Sequence, residues 1–258
     1  MHPILFKFGS FTIYTYGFFV FLGVLFGYFF CLKQAKRENI NKSVFSDIIF
    51  WTLIFSFLGA RVFYIFADFE NFLLNPLEIL LSRSGFVFYG GVVFGIIALY
   101  ALAKLHKINF FKLSDIIVSG VPLAHAFGRL GCFSYGCCYG RPTDSFLGVL
   151  FPKDSPAGFA GVRVIPTQLI EALSLFLLFL ALIFLRKRKK FDGQLLAFYL
   201  IFYSIIRFII EFLRGDPRGS VFFLSLSQFI SVILMVFGIF LHFWLRLRKQ
   251  QEKTNKTI

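Results

Sequence analysis

Apolar residues run along this chain in long stretches separated by short charged segments. About 20 consecutive apolar residues are what a helix needs to cross a hydrocarbon core. The pattern predicts seven such helices, over about 11–32, 44–66, 85–103, 114–134, 167–185, 193–213 and 224–245. In lipid every backbone N–H and C=O must find its partner inside the segment, so each run is read as a helix. The predicted fold class is an all-α polytopic membrane protein. Nearly every stretch is a span or a connection between spans, which makes 1–258 a single integral domain.

Composition agrees with this pattern. The chain is 58% hydrophobic with a mean hydropathy of +0.78, far more apolar than a soluble domain of 258 residues. A net charge of +14 would suggest nucleic acid in a soluble protein. Here position matters more than the total, and nucleic acid is not an expected partner. Lys33, Lys36, Arg37 and Lys42 follow the first span, and Lys104, Lys107 and Lys112 the third. Arg186–Lys190 follow the fifth, and Arg246, Arg248, Lys249, Lys253 and Lys256 the seventh. The positive-inside rule makes these segments cytoplasmic. Seven spans then put the N-terminus outside and the C-terminus in the cytoplasm. The first apolar run has only Lys7 close before it and is not read as a cleavable signal.

The remaining basic residues are Lys7, Lys153 and eight arginines: Arg61, Arg83, Arg129, Arg141, Arg163, Arg207, Arg214 and Arg218. All fall on the outer side or in the outer ends of spans. Arginine forks bidentately onto phosphate, so an outer set made almost wholly of arginine points to a phosphate-bearing ligand. Two outer segments exceed simple turns. One, about 67–84, contains "NFLLNPLEILL" and is a candidate interfacial helix. The other, about 134–165, is rich in Gly and Pro and long enough for a small extracytoplasmic cap.

Within the spans, Tyr203, Arg207, Glu211 and Arg214 recur at helical spacing and share one face. A charge at mid-span costs roughly 2.5–3.5 kcal/mol, so such a stripe is rare unless used. It reads either as a polar wall of a substrate cavity or as a charge pair locking two helices. Arg61 is either a ligand contact or a snorkelling interfacial cation. Gln168 and Glu171 are three apart at the start of the fifth span, where a Glu also complements the helix dipole. Tyr89 precedes paired glycines and is either a substrate contact or an aromatic-belt residue. His125 and Arg129 are four apart on one face, with Gly128 and Gly131 beside the arginine. The cysteines Cys31, Cys132, Cys137 and Cys138 are too few and too unevenly placed for a disulfide framework. The C-x4-CC spacing of the last three completes no zinc set with nearby residues, so no metal is expected. A strained disulfide or a reactive thiol remain open readings of these cysteines.

Taken in order, these motifs resemble the bacterial prolipoprotein diacylglyceryl transferases. "FGSFTIYTYGF", with Tyr16 and Gly17, is similar to that family's N-terminal element, and "LGARVFY" to its second-span motif. The stretch from Gly128 through "GRLGCF" to "YGRPT" looks like the family signature. "PTQLIEA", "YSIIRFIIEFLRGD" and "LSQFIS" resemble its later span motifs. The resemblance covers almost the whole chain. It implies transfer of the diacylglyceryl group of phosphatidylglycerol to the lipobox cysteine thiol of a prolipoprotein signal peptide, at the outer side of the inner membrane. Glycerol phosphate leaves, and no cofactor or metal takes part. Arg129 and Arg207 would clamp the phosphate, with Glu211 orienting one of them. Tyr16, Arg61, Tyr203, Gln168 and Glu171 would line the substrate site among membrane lipids.

Three positions depart from the family pattern. Tyr89 stands where a His is common, Cys132 where an Asn is common, and Cys137 where a Glu is common. The general base is therefore open among His125, Tyr89 and a thiolate of Cys137. A diverged paralogue acting on another phospholipid or acceptor is an alternative, as is a lipid-phosphate or anion transporter. Inverted repeats, which would favour transport, are not seen. A thiol oxidoreductase built on the cysteines is a further alternative.

Overall fold

In a computed structural model of the protein, the described residues are 3–9, 11–81, 85–158, 161–216, 219–221 and 223–254. The elements in chain order begin with β1 (Ile4–Phe8), β2 (Phe11–Tyr14), α1 (Thr15–Arg37), α2 (Lys42–Ala67), α3 (Phe69–Leu74), α4 (Pro76–Leu81) and α5 (Phe88–Leu105). They continue with α6 (Phe110–Val118), α7 (Val121–Tyr135), α8 (Thr167–Arg186), α9 (Gln194–Glu211), β3 (Ser220–Val221), β4 (Leu224–Ser225) and α10 (Leu226–Thr254). Seven helical stretches are long and apolar enough to cross a membrane, with α6 and α7 together forming the fourth. Arg83, Arg218 and Lys256 lie outside the described residues.

The spans differ from expectation at three places. The first begins at Thr15 rather than near 11, because Phe11–Tyr14 pairs antiparallel with Ile4–Phe8 in a hairpin. The fourth is two helices. It breaks at Ser119–Gly120, just before Pro122 in the first turn of α7, where a proline has no N–H to give. The seventh does not stop near 245. Helix α10 carries Arg246, Arg248 and Lys249 on to Thr254.

The chain divides into two compact units, Met1–Cys31 with Ser114–Ile258, and Leu32–Leu113. In the first unit α8 packs between α7 and α9, and α10 lies along α9. Burial is inverted relative to a soluble bundle. On α9 Ser204, Arg207 and Glu211 are buried while Phe202, Ile205 and Ile209 face outward. Apolar residues on the outside are stable only against lipid, and the polar groups then have to satisfy one another inside. Asp115 of α6 does this at the start of α9. It is fully buried, accepts N–H bonds from Gly193 (2.8 Å) and Leu196 (2.9 Å), and pairs with Lys189 (3.4 Å). Two of the orphan donors of that helix end are thereby satisfied.

In the segment expected to form a cap, residues 134–158 and 161–165, a small apolar core is present. Phe151, Ala157 and Val164 bury one another, with Phe133, Tyr139 and Val149 packed around them. Isolated bridges join Gly140 to Arg214, and Val164 to both Pro142 and Val149.

In the second unit α2 packs along α5. The segment of about 67–84, expected to hold an interfacial helix, contains two short helices in its described part, α3 and α4, which meet at Asn75–Pro76. They expose Leu73, Leu74 and Leu77. Arg61 of α2 holds this connection. Its Nη1 donates to the Gly85 carbonyl (3.0 Å) and its Nη2 to the Ile79 carbonyl, and its guanidinium lies over the Phe86 ring.

Small residues set the helix spacing. A Cβ at Gly23 of α1 would stand 2.6 Å from the Ala124 carbonyl oxygen and 2.9 Å from Phe127 Cβ, whereas a Cβ at Gly17 would meet nothing within 4 Å. Gly23→Val is therefore expected to lower the thermal unfolding midpoint in detergent, by an overpacking cost of about 1–3 kcal/mol. Gly17→Ala leaves the midpoint unchanged or raises it. Differential scanning fluorimetry of the two variants checks the pair.

Candidate functional site

The buried charges of the first unit converge from three helices. Arg129, two turns into α7, points at α8, where its Nη2 lies 2.9 Å from Glu171 Oε1. The pair is nearly closed from solvent, with side chains 14% and 1% exposed. Arg207 of α9 pairs with Glu211 one turn on (2.7 Å) and donates to Ser227 Oγ at the start of α10 (2.9 Å). Both guanidiniums lie close enough to His125 to act on its charge, and the His125 ring sits 5.7 Å from that of Tyr203. Tyr16 completes the wall: its ring and backbone lie against Gly131, where a Cβ would come within 3.1 Å.

These contacts assign a carboxylate to each arginine. Glu211 holds Arg207, as the helical spacing suggested, but the partner of Arg129 is Glu171 from a different helix. Arg214 also leaves the stripe of Tyr203, Arg207 and Glu211. Helix α9 stops at Glu211 because the chain turns there to pair with the cap: Arg141 N–H donates to the Leu213 carbonyl and Gly215 N–H to the Tyr139 carbonyl.

The arginines keep donors in reserve. Among the described residues, Arg129 Nε and Arg207 Nη1 are buried with no hydrogen-bond acceptor. Buried polar groups are nearly always paired, so idle guanidinium donors are unusual. Each arginine has one carboxylate beside it and a donor left unused.

The signature stretch folds back beside this region. Helix α7 ends at Gly136 in a left-handed turn (φ 82°), and Cys137 N–H returns to the Cys132 carbonyl. Two fully buried side chains of α8 then lock the next carbonyls: Gln168 Nε2 donates to Cys137 (2.7 Å) and Thr167 Oγ1 to Cys138 (2.9 Å). The sulfurs of Cys132, Cys137 and Cys138 end within 4.8 Å of one another. The linear spacing hid this convergence, because the turn at Gly136 reverses the chain. Three sulfur donors therefore stand together, one fewer than a closed tetrahedral set needs.

Arg214 lies beside Cys138, with Nε and Nη2 held by Asp216 at 2.8 and 2.7 Å. Hydrogen bonds from the Cys132 and Cys137 thiols, and then Arg214, push the Cys138 thiol well below its ordinary range against the effect of burial. The same thiol contacts push Cys137 well up. Missing from the sequence reading were the roles of Ser227 and of Arg214 toward Cys138. Only the polar "LSQ" opening of the last span hinted at the first.

Arg61 and Tyr89 belong to the second unit. The Arg61 guanidinium is engaged with backbone carbonyls, as described above. Tyr89, at the start of α5, is 43% exposed and meets Phe88 edge to face.

A sequence profile of the family described as prolipoprotein diacylglyceryl transferase matches residues 3–244. The phosphatidylglycerol–prolipoprotein diacylglyceryl transferase of Clostridium tetani is 37% identical over 250 residues, covering 97% of this chain and 100% of the relative. A protein named phosphatidylglycerol–prolipoprotein diacylglyceryl transferase 2, from Clostridium perfringens, is 38% identical over 95% of each chain. The Finegoldia magna transferase is 34% identical over 99% of this chain and 100% of its own length. With buried arginines on three-helix walls, motifs in the same order and matches along nearly its full length, this chain belongs to the prolipoprotein diacylglyceryl transferase family.

Proposed function

We propose that this protein transfers the diacylglyceryl group of phosphatidylglycerol to the lipobox cysteine thiol of a prolipoprotein. The observation that carries this reading is the pair of buried arginines, each fixed by one carboxylate and each with an idle donor. In the reaction the thiolate sulfur attacks the glycerol carbon that bears the phosphate. A C–S bond forms, the C–O bond breaks, and the electron pair leaves with glycerol phosphate. Negative charge grows on the departing phosphate. Preorganised donors in a water-poor cavity stabilise that charge far better than water does. Arg129 and Arg207 are the proposed clamp, with Glu171 and Glu211 as positioning residues. Tyr16, Tyr203 and Gln168 are proposed to shape the site, and Tyr89 and Arg61 to serve the lipid-facing side of the second unit.

The thiol proton needs an acceptor. His125 is the proposed one, since it lies one helical turn before Arg129 on α7, with its ring 5.7 Å from that of Tyr203. Tyr89 and a Cys137 thiolate are the other candidates.

The proposed location is the inner membrane, with the site toward its outer side. Arg207 stands 13 residues past Gln194, roughly 20 Å along α9 from its start. At that start Lys190, Arg246 and Lys249 line a cleft with Phe191, Phe198 and His242. The lysine-rich end is the cytoplasmic one by the positive-inside rule. The acceptor is a signal peptide already in the membrane, so both substrates are proposed to enter laterally from lipid.

Purified protein, phosphatidylglycerol vesicles and a lipobox peptide are expected to yield peptide carrying the mass of one diacylglyceryl group. No adduct, where the Clostridium tetani relative produces one in parallel, overturns the assignment. Arg129→Ala and Arg207→Ala are each expected to lower kcat by about 10²–10³-fold, the scale of losing a donor to developing charge. Glu171→Gln acts through Arg129. It is expected to lower kcat more than it raises KM, with part of the rate recovered in Glu171→Asp. Wild-type kinetics in Glu171→Gln would remove it from the positioning role.

A further inference from the structure

With His125 as the proposed proton acceptor, the transfer does not call on the three-cysteine cluster at the end of α7, whose construction is specific. Two features bring the sulfurs together. Gly136 supplies the left-handed turn, where a Cβ would come 2.7 Å from Ser155. Cys138 itself adopts φ +64°, a conformation that side chains other than glycine's rarely take. Local strain of this kind persists only where surrounding contacts over-determine it. Those contacts are present: the carbonyls of Cys137 and Cys138 are gripped by buried Gln168 and Thr167, and the following residues pair with the chain after α9.

The resulting geometry fits a soft cation. In a tetrahedral zinc–thiolate centre with Zn–S near 2.3 Å, sulfurs stand about 3.8 Å apart. The three sulfurs here lie within 4.8 Å of one another, so the side chains need close by only about 1 Å. Cys132 is buried while Cys137 and Cys138 are partly open, which leaves one face for water or hydroxide.

We propose that Cys132, Cys137 and Cys138 form a binding site for a thiophilic metal ion, Zn²⁺ being the probe of choice, with a water or hydroxide as the fourth ligand. The ion displaces the thiol protons to solvent and bonds three thiolate sulfurs, with no change of oxidation state. Its role is structural. Cys132 follows Arg129 by one helical turn, so an ion joining it to Cys137 and Cys138 pins the end of α7 that carries the arginine.

Zinc content tests this without any measure of transfer activity, so its outcome is separate from the functional assignment. Full-length protein is purified in detergent under reductant, stripped with chelator, loaded with ZnCl₂ and freed of excess. About one zinc per chain is expected in the wild type and in Cys31→Ser, and loss of zinc in Cys132→Ser, Cys137→Ser and Cys138→Ser. Co²⁺ loading of the unaltered protein is expected to give thiolate-to-metal charge-transfer absorption, which decides the matter even where a variant fails to fold. Absence of that absorption, zinc retained by the folded serine variants, or wild-type protein that binds no zinc after reduction overturns the proposal.

Discussion

A guanidinium inside a membrane bundle is tolerable only with a carboxylate beside it, and the Arg129–Glu171 pair is that contact in this protein. The pair ties α7 to α8 at a point where neither side chain has useful access to water. Removing either partner would leave an uncompensated buried charge, which is far worse than never having buried the pair. The same logic fixes Arg207 to Glu211 and Ser227, and through them α9 to α10. The helices of the first unit are therefore arranged around charges, and the apolar surface is turned outward to lipid.

That arrangement is also what the proposed chemistry draws on. A carboxylate on one edge of each guanidinium sets the direction of the other edge. Donors held in place before the ligand arrives need no reorganisation when phosphate charge develops. The His125 and Tyr203 rings stand 5.7 Å apart. The proposed acid–base group thus lies on the same helix as one of the proposed clamping arginines.

The cap works as a brace rather than a separate layer. Its signature segment is held on one side by the first turn of α8 and on the other by the chain leaving α9. The cysteine sulfurs, Arg214 and the end of α7 meet where those holds cross. In the second unit Arg61 does a comparable job on a smaller scale, tying the α4–α5 connection to α2 through backbone carbonyls.

Spans and their number were legible in the sequence, because hydrocarbon thickness imposes a length and backbone satisfaction imposes a helix. So was the Arg207–Glu211 pair, since residues four apart on one helix must meet. Three features were decided only by the tertiary structure. Glu171 was as good a dipole partner for its own helix as an ion-pair partner for Arg129, and only the packing of α7 on α8 selects between them. The end of α9 before Arg214 depends on pairing with the cap, a contact between distant parts of the chain. The convergence of Cys132, Cys137 and Cys138 depends on left-handed turns at Gly136 and Cys138, and linear spacing carries no record of a reversal that two backbone angles create.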